Sequence, residues 1–182
     1  MEAVVYLLRF FFDAVVTLLI LRVWLQMVQA DFYNPLSQFV VKVTNPLVVP
    51  FRRLIPGIGG FDVATIVVAL FFAILEWVVF QGLSTGQIDF LFAMYLGTLA
   101  LIKQVGFLLF IIMLVMAIMS WVVQGYNPTM VIFQQLTEPF LRPIRRVVPV
   151  IGGLDLSILV AFLALNVVNI LLTGAVPYWG GV

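Results

Sequence analysis

The chain has 182 residues, 64% apolar and 9% charged, with a formal net charge of +1 and a mean hydropathy of +1.23. A soluble domain carries about 45 to 50% apolar and about 25% charged residues, so this composition is that of an integral membrane protein. The absence of Cys and His excludes thiolate nucleophiles, Cys or His metal sites, axial-His haem and imidazole proton shuttling, and leaves the redox compartment open.

Four apolar runs are long enough to cross a hydrocarbon core of about 30 Å, which takes roughly 17 to 25 helical residues. The first, residues 4–28, reads as a retained helix rather than a cleaved signal peptide. No basic cluster precedes it, Arg9 and Asp13 interrupt it, and no small-residue cleavage site follows. Residues 63–80 form the second. The third is expected at 104–123, preceded by an apolar stretch, 88–102, that reads as an interfacial lead-in or a long tilted extension of the same helix. The fourth covers 156–173.

Between these runs the chain repeats itself. Residues 33–62, YNPLSQFVVKVTNPLVVPFRRLIPGIGGFD, align without a gap on residues 126–155, YNPTMVIFQQLTEPFLRPIRRVVPVIGGLD, an offset of 93, with 13 of 30 positions identical. The shared residues are mostly Pro, Gly, Arg and Asp, types that shape backbone or place charge. The chain therefore reads as one membrane domain, 1–182, built from repeat 1 at about 4–80 and repeat 2 at about 99–173. Two crossings separate the motif copies, so both face the same side, and the duplication is parallel rather than inverted.

Charge orients the arrangement. Lys42, Arg52, Arg53, Arg142, Arg145 and Arg146 lie in the motifs, whereas the 81–89 connection and the tail after Thr173 have no basic residue. By the positive-inside rule the motifs are cytoplasmic and both termini outside, and Arg22 near the inner end of the first helix fits.

Within each motif, Asn34 or Asn127 before a Pro reads as a helix N-cap with Pro in the first turn, and the helix is expected to end near Thr44 or Thr137. Pro46 and Pro139 open a second start, with Pro50 and Pro143 four residues on, where a missing N–H and a bulky ring kink the chain. The expectation is a broken amphipathic segment in the interface, with Phe39, Leu47, Phe51 and Leu54 dipping toward acyl chains and Arg52 and Arg53 among headgroups. Pro56 or Pro149, then Gly59-Gly60 or Gly152-Gly153, turn the chain upward. Asp62 and Asp155 then stand where they can cap the following helices. Trp24, Trp121, Tyr178 and Trp179, near run ends, suggest an interfacial aromatic belt.

The paired cores NPLVVPFRRLIPGIGGFD and EPFLRPIRRVVPVIGGLD, each leading into a hydrophobic helix, closely resemble the two repeats of the YggT family of small bacterial inner-membrane proteins, related to YlmG and to the CCB3-type proteins of chloroplasts. The resemblance covers nearly the whole chain. It rests on Pro50, Arg52, Arg53, Pro56, Gly59, Gly60 and Asp62 and on Pro143, Arg145, Arg146, Pro149, Gly152, Gly153 and Asp155. It implies an all-α protein of the bacterial inner membrane, with links to osmotic-stress tolerance, to cell division or nucleoid organisation and, in plastids, to cytochrome b6 maturation. No molecular activity comes with it.

Two residue sets are candidates for function. Lys42, Arg52, Arg53, Arg142, Arg145 and Arg146 form a basic face for anionic lipid or protein partners, set against simple topological anchoring. Arg9, Asp13, Glu76 and Lys103 fall inside apolar runs, where an unpaired charge costs at least about 2.5 kcal/mol, so they should be paired or near the surface. The offset places Lys103 opposite Phe10 and Asn169 opposite Glu76. A cluster including Asn166 and Asn169 is therefore expected in the outer half, with Glu76 in reach of Arg9 or Lys103. The function read from these features is a non-enzymatic scaffold or assembly and stress-tolerance protein that needs no cofactor or metal. Its expected partners are anionic lipids, membrane or division proteins and further copies of itself, not nucleic acid. The alternative is a small oligomeric channel or transporter.

Overall fold

A computed structural model of the chain describes residues 2–57, 62–122, 125–148 and 155–182, and the backbone alone of Trp121. Its elements are α1 (Glu2–Met27), α2 (Pro35–Arg52), α3 (Val63–Ser84), α4 (Phe90–Val122), α5 (Pro128–Arg145), α6 (Leu156–Ala175) and a closing 3-10 turn (Trp179–Gly181). No strand occurs among the described residues. Helices α1, α3, α4 and α6 are long and apolar enough to cross a membrane. Helix α2 lies against α1 and α3, while α5 lies against α4 and α6.

The expected helix starts form. Asn34 Oδ1 accepts the Leu36 N–H at 3.0 Å, and Asn127 Oδ1 accepts those of Thr129 and Met130 at 2.9 and 3.2 Å, with Pro in the first turn of each helix. Asp62 takes the Thr65 N–H and Asp155 the Ser157 N–H, capping α3 and α6. Asn34 also donates from Nδ2 to the Pro128 carbonyl at 2.8 Å, bringing the starts of α2 and α5 together.

The expected break near Thr44 and Thr137 does not occur. Both α2 and α5 run unbroken for 18 residues, with Pro46, Pro50, Pro139 and Pro143 inside them. All four prolines are exposed, on the side away from the buried stripes Ser37-Val40-Thr44-Val48 and Ile132-Leu136-Leu141. The carbonyls that lose a donor therefore open outward, where water or headgroups can replace it, and the packed face holds the helix together. Leu47 and Phe51, expected to dip into lipid, instead pack half-buried on Leu19, Val48, Ala64, Val68 and Ala69, whereas Phe39 and Leu54 stay exposed. Pro56 lies in the loop after α2. Gly59, Gly60, Pro149, Gly152 and Gly153 fall outside the described residues.

Residues 88–102 are not a separate interfacial piece. From Phe90 they belong to α4, whose 33 residues extend about 50 Å. The polar pair at its middle does not end the helix because both side chains find partners in the bundle. The Lys103 ammonium donates to the main-chain oxygens of Trp179 (3.0 Å) and Val182, and Gln104 Nε2 donates to Thr17 Oγ1 of α1 at 2.7 Å. The upper part of α4 lies close on α3. A Cβ on Gly97 would stand 2.7 Å from the Ile74 Cα and 2.8 Å from the Ala73 carbonyl oxygen, so only Gly fits, and Ala73 and Ala93 are buried nearby. Small residues at such a contact let two backbones approach.

The aromatic-belt expectation fails for two residues. Trp24 is buried against Phe140, ring centroids 5.5 Å apart, and Trp179 is buried with its indole N–H donating to Asn169 Oδ1 at 2.9 Å. Tyr178 is exposed beside Phe92.

Candidate functional site

The first motif copy closes on a buried charge. Arg22, in the last third of α1, is 5% exposed. Its Nη1 donates to Thr44 Oγ1 at 2.7 Å and to Asn45 Oδ1 at 3.0 Å, both on α2, and its Nε stands 3.6 Å from Asp62 Oδ2 at the start of α3. Arg52, ending α2, donates from Nε to Asp62 Oδ1 at 3.2 Å and from Nη2 to Oδ2. Thr65 Oγ1 completes the carboxylate shell at 2.5 Å. One carboxylate thus ties three helices. Burial alone would raise the Asp62 pKa, but the hydrogen bonds from Arg52 and Thr65 and the Arg52 charge outweigh it and hold the carboxyl below its ordinary range.

The second copy repeats the pair in the open. Arg145 donates from Nε and Nη2 to Asp155 Oδ2 at 3.0 and 2.7 Å, and from Nη1 to Glu138 Oε2 at 2.6 Å. The Asp155 pKa is also lowered: burial again pushes it up, and the Arg145 and Ser157 hydrogen bonds outweigh that. At the 93-residue offset, Arg22 is replaced by Val115 and Asn45 by Glu138. Thr137, the partner of Thr44, sits 3.4 Å from the Met116 sulfur instead of a guanidinium.

The expected basic face is therefore divided. Arg52 and Arg145 are held by their aspartates, although both side chains keep an exposed edge. Lys42, Arg53, Arg142 and Arg146 are exposed, alongside exposed Phe39, Val43, Val49, Phe140 and Val147.

The second candidate set divides too. Arg9, Asp13, Glu76, Lys103 and Gln104 line a cleft of about 290 Å³, and Lys103, Asn166 and Asn169 line a second of about 350 Å³. The closing turn lies between them, and Lys103 borders both. Glu76, 8% exposed, lines one cleft with Arg9 and Lys103 and lies within electrostatic range of Arg9, but among the described residues it makes no hydrogen bond and no close ion pair. Lys103 is taken by Trp179 and Val182, and the Arg9 guanidinium lies over the Phe80 ring, 5.2 Å from its centroid. Phe80 and the returning tail supply these cations with partners, which no pattern of apolar runs indicates.

Arg22 in its lock is the feature that motif reading missed. Read alone, it marks orientation. Its signal was present in the duplication, as an Arg inside an apolar run whose counterpart is Val115.

Comparison with known proteins places the chain. The CCB3/YggT family model matches residues 1–83 and 95–176. An uncharacterized protein of Vibrio alginolyticus, from the proC 3′ region, is 46% identical over 98% of each chain. The uncharacterized protein YggT of Escherichia coli K12 is 43% identical over 93% of this chain and 88% of its own, and an uncharacterized protein of Pseudomonas aeruginosa is 38% identical over 93% and 87%. No solved structure matches. With a family model covering nearly its whole length and such relatives alongside, the chain belongs to the CCB3/YggT family.

Proposed function

We propose that the protein is a non-enzymatic scaffold or assembly protein of the bacterial inner membrane, serving stress tolerance, whose α2 and α5 lie in the cytoplasmic interface with both termini outside. The observation that carries this reading is the outer face of those helices, where exposed Lys42, Arg53, Arg142 and Arg146 alternate with exposed Phe39, Val43, Val49, Phe140 and Val147. Basic and apolar residues side by side on the exposed face of an amphipathic helix suit a membrane surface or a membrane-bound partner. Each exposed cation contributes about 1 kcal/mol on an anionic leaflet. Replacing all four cations by Gln is expected to lower retention of cardiolipin and other anionic lipids at unchanged insertion. Unchanged retention would leave the residues as topological anchors. Cys labels at Gly57 and Gly86 test the orientation, and labelling of Gly57 from outside intact cells would reverse it.

A second reading, a small oligomeric channel or transporter, draws on one observation: Glu76 is buried and lines a polar cleft with Arg9, Asp13 and Lys103, without a hydrogen bond or close ion pair among the described residues. Intramembrane carboxylates commonly mark ion or solute paths. Purified protein in liposomes, wild type against Glu76→Gln, tests it by ion flux. Changed flux at equal abundance favours the pore, and no flux from either leaves the scaffold.

A further inference from the structure

Between the end of α1 and the first turns of α2 lies an open cleft of about 340 Å³, lined by Arg22, Arg52, Gln29 and Ser37 with Phe32 and Val41 as apolar wall. Its charge does not balance. Two guanidiniums, Arg22 and Arg52, share one carboxylate, Asp62, and the remaining partners Thr44, Asn45 and Thr65 are neutral, which leaves one positive charge over on a group 5% exposed. Ser37 borders the same cleft. It is 4% exposed, and its hydroxyl has no hydrogen-bond partner among the described residues. It also stands in the first turn of an 18-residue helix, the end at which the helix dipole favours negative charge.

The second copy supplies an internal control. At the 93-residue offset four of the five polar residues lining the cleft, Arg22, Gln26, Gln29 and Ser37, become Val115, Met119, Val122 and Met130, and the fifth, Arg52, is retained as Arg145. Asn45 becomes Glu138, whose carboxylate joins Asp155 around Arg145. The excess positive charge and the Ser37 hydroxyl beside it therefore belong to the first copy.

We propose that this cleft binds a phosphate group, supplied by a phospholipid headgroup at the membrane surface or by a free phosphate anion. Planar guanidinium forks match phosphate oxygens, a hydroxyl donor completes the shell, and exposed Phe32 offers an apolar wall to a glycerol or acyl segment. The proposal goes beyond the surface reading because it uses none of the exposed Lys42, Arg53, Arg142 and Arg146.

The test uses the purified full chain, with native mass spectrometry for retained lipid and thermal unfolding as a check on folding. The probes are inorganic phosphate and dioleoyl phosphatidylglycerol, the latter compared with dioleoylglycerol, which has the same chains and no phosphate. Ser37→Met installs the residue of the second copy and removes no charge. It is expected to weaken phosphate-group binding about tenfold, the loss of one hydrogen bond to a charged group, and Ser37→Ala, which adds no bulk at this 4%-exposed position, is expected to weaken it equally at nearly unchanged unfolding temperature. Arg22→Gln should abolish binding, and if it fails to fold the Ser37 variants decide. An effect on phosphatidylglycerol only assigns the site to lipid, and one on inorganic phosphate only assigns it to the free anion. Equal binding by wild type and Ser37→Met with both probes overturns the site. So does a loss confined to the four-cation Gln variant, which would uphold the surface reading and remove the cleft.

Discussion

Arg52 and Asp62 in the first motif copy and Arg145 and Asp155 in the second make the same pair across the same ten residues of chain, yet they have different neighbours. The first pair is joined by a buried Arg22 and a neutral Asn45, the second by an exposed Glu138 and, among the described residues, no further cation. One local motif thus yields a three-helix tie carrying a surplus positive charge in one copy, and a solvent-facing ion pair with a surplus negative charge in the other. The element common to both copies is the Arg–Asp pair that ties the end of one helix to the cap of the next. The divergence lies in the two helices before it, at Arg22 of α1 against Val115 of α4 and at Asn45 of α2 against Glu138 of α5.

The sharpest way to break this contrast is to remove each aspartate. Asp62→Asn leaves Arg22 buried without its anion and is expected to cost about 3 to 5 kcal/mol, whereas Asp155→Asn should cost about 1 kcal/mol or less, because exposed pairs contribute little. Thermal or denaturant unfolding in detergent measures both. Equal losses would show that Arg22 is not held by Asp62.

The next effect tests close packing at positions related by the same offset. Gly97 abuts the α3 backbone, whereas its counterpart Val4 is 58% exposed. Gly97→Val is expected to destabilise by about 1 to 3 kcal/mol, through overpacking against backbone that cannot yield. Val4→Ala should have no measurable effect in the same unfolding assay.

Acid separates the copies more gently. Both aspartates have pKa values below the ordinary 3.8, so the stability they contribute is complete above that value and is lost as pH falls through the folded-state pKa. Unfolding temperatures measured from pH 6 down to pH 3 should fall below about pH 4, and the fall should be smaller in either Asp→Asn variant. A decline already under way near pH 6 in the wild type would point to some other group.

The smallest effect expected is that of Glu138→Asn, which restores the residue type of the first copy. Its ion pair with Arg145 is well exposed, so stability should change by less than about 0.5 kcal/mol. A loss above that, by the same unfolding measurement, would mean that the second copy is also a packed lock.

Much of this architecture was legible in the sequence because its causes are local. An apolar run of some twenty residues has few alternatives to a membrane helix, Asn-Pro sets a helix start, Asp before an apolar run sets a cap, and an ungapped duplication declares its offset. Partner choice was not legible, because it depends on which side chains converge across helices. The composition of the motifs suggested that all the arginines face headgroups, but only the crossing of α1, α2 and α3 gave Arg52 to Asp62 and buried Arg22 behind them. The prolines suggested a broken segment, and it was packing of Ser37, Val40, Thr44 and Val48 on the bundle that kept α2 continuous while turning Pro46 and Pro50 outward. Likewise Lys103 read as a partner for Glu76 until the closing turn brought the Trp179 and Val182 oxygens to it. The sequence by itself determined the membrane class, the helices, their caps and the repeat, all consequences of neighbours along the chain. Which charge meets which was decided by the tertiary structure alone, since a buried cation takes whichever anion or carbonyl the packing places within reach.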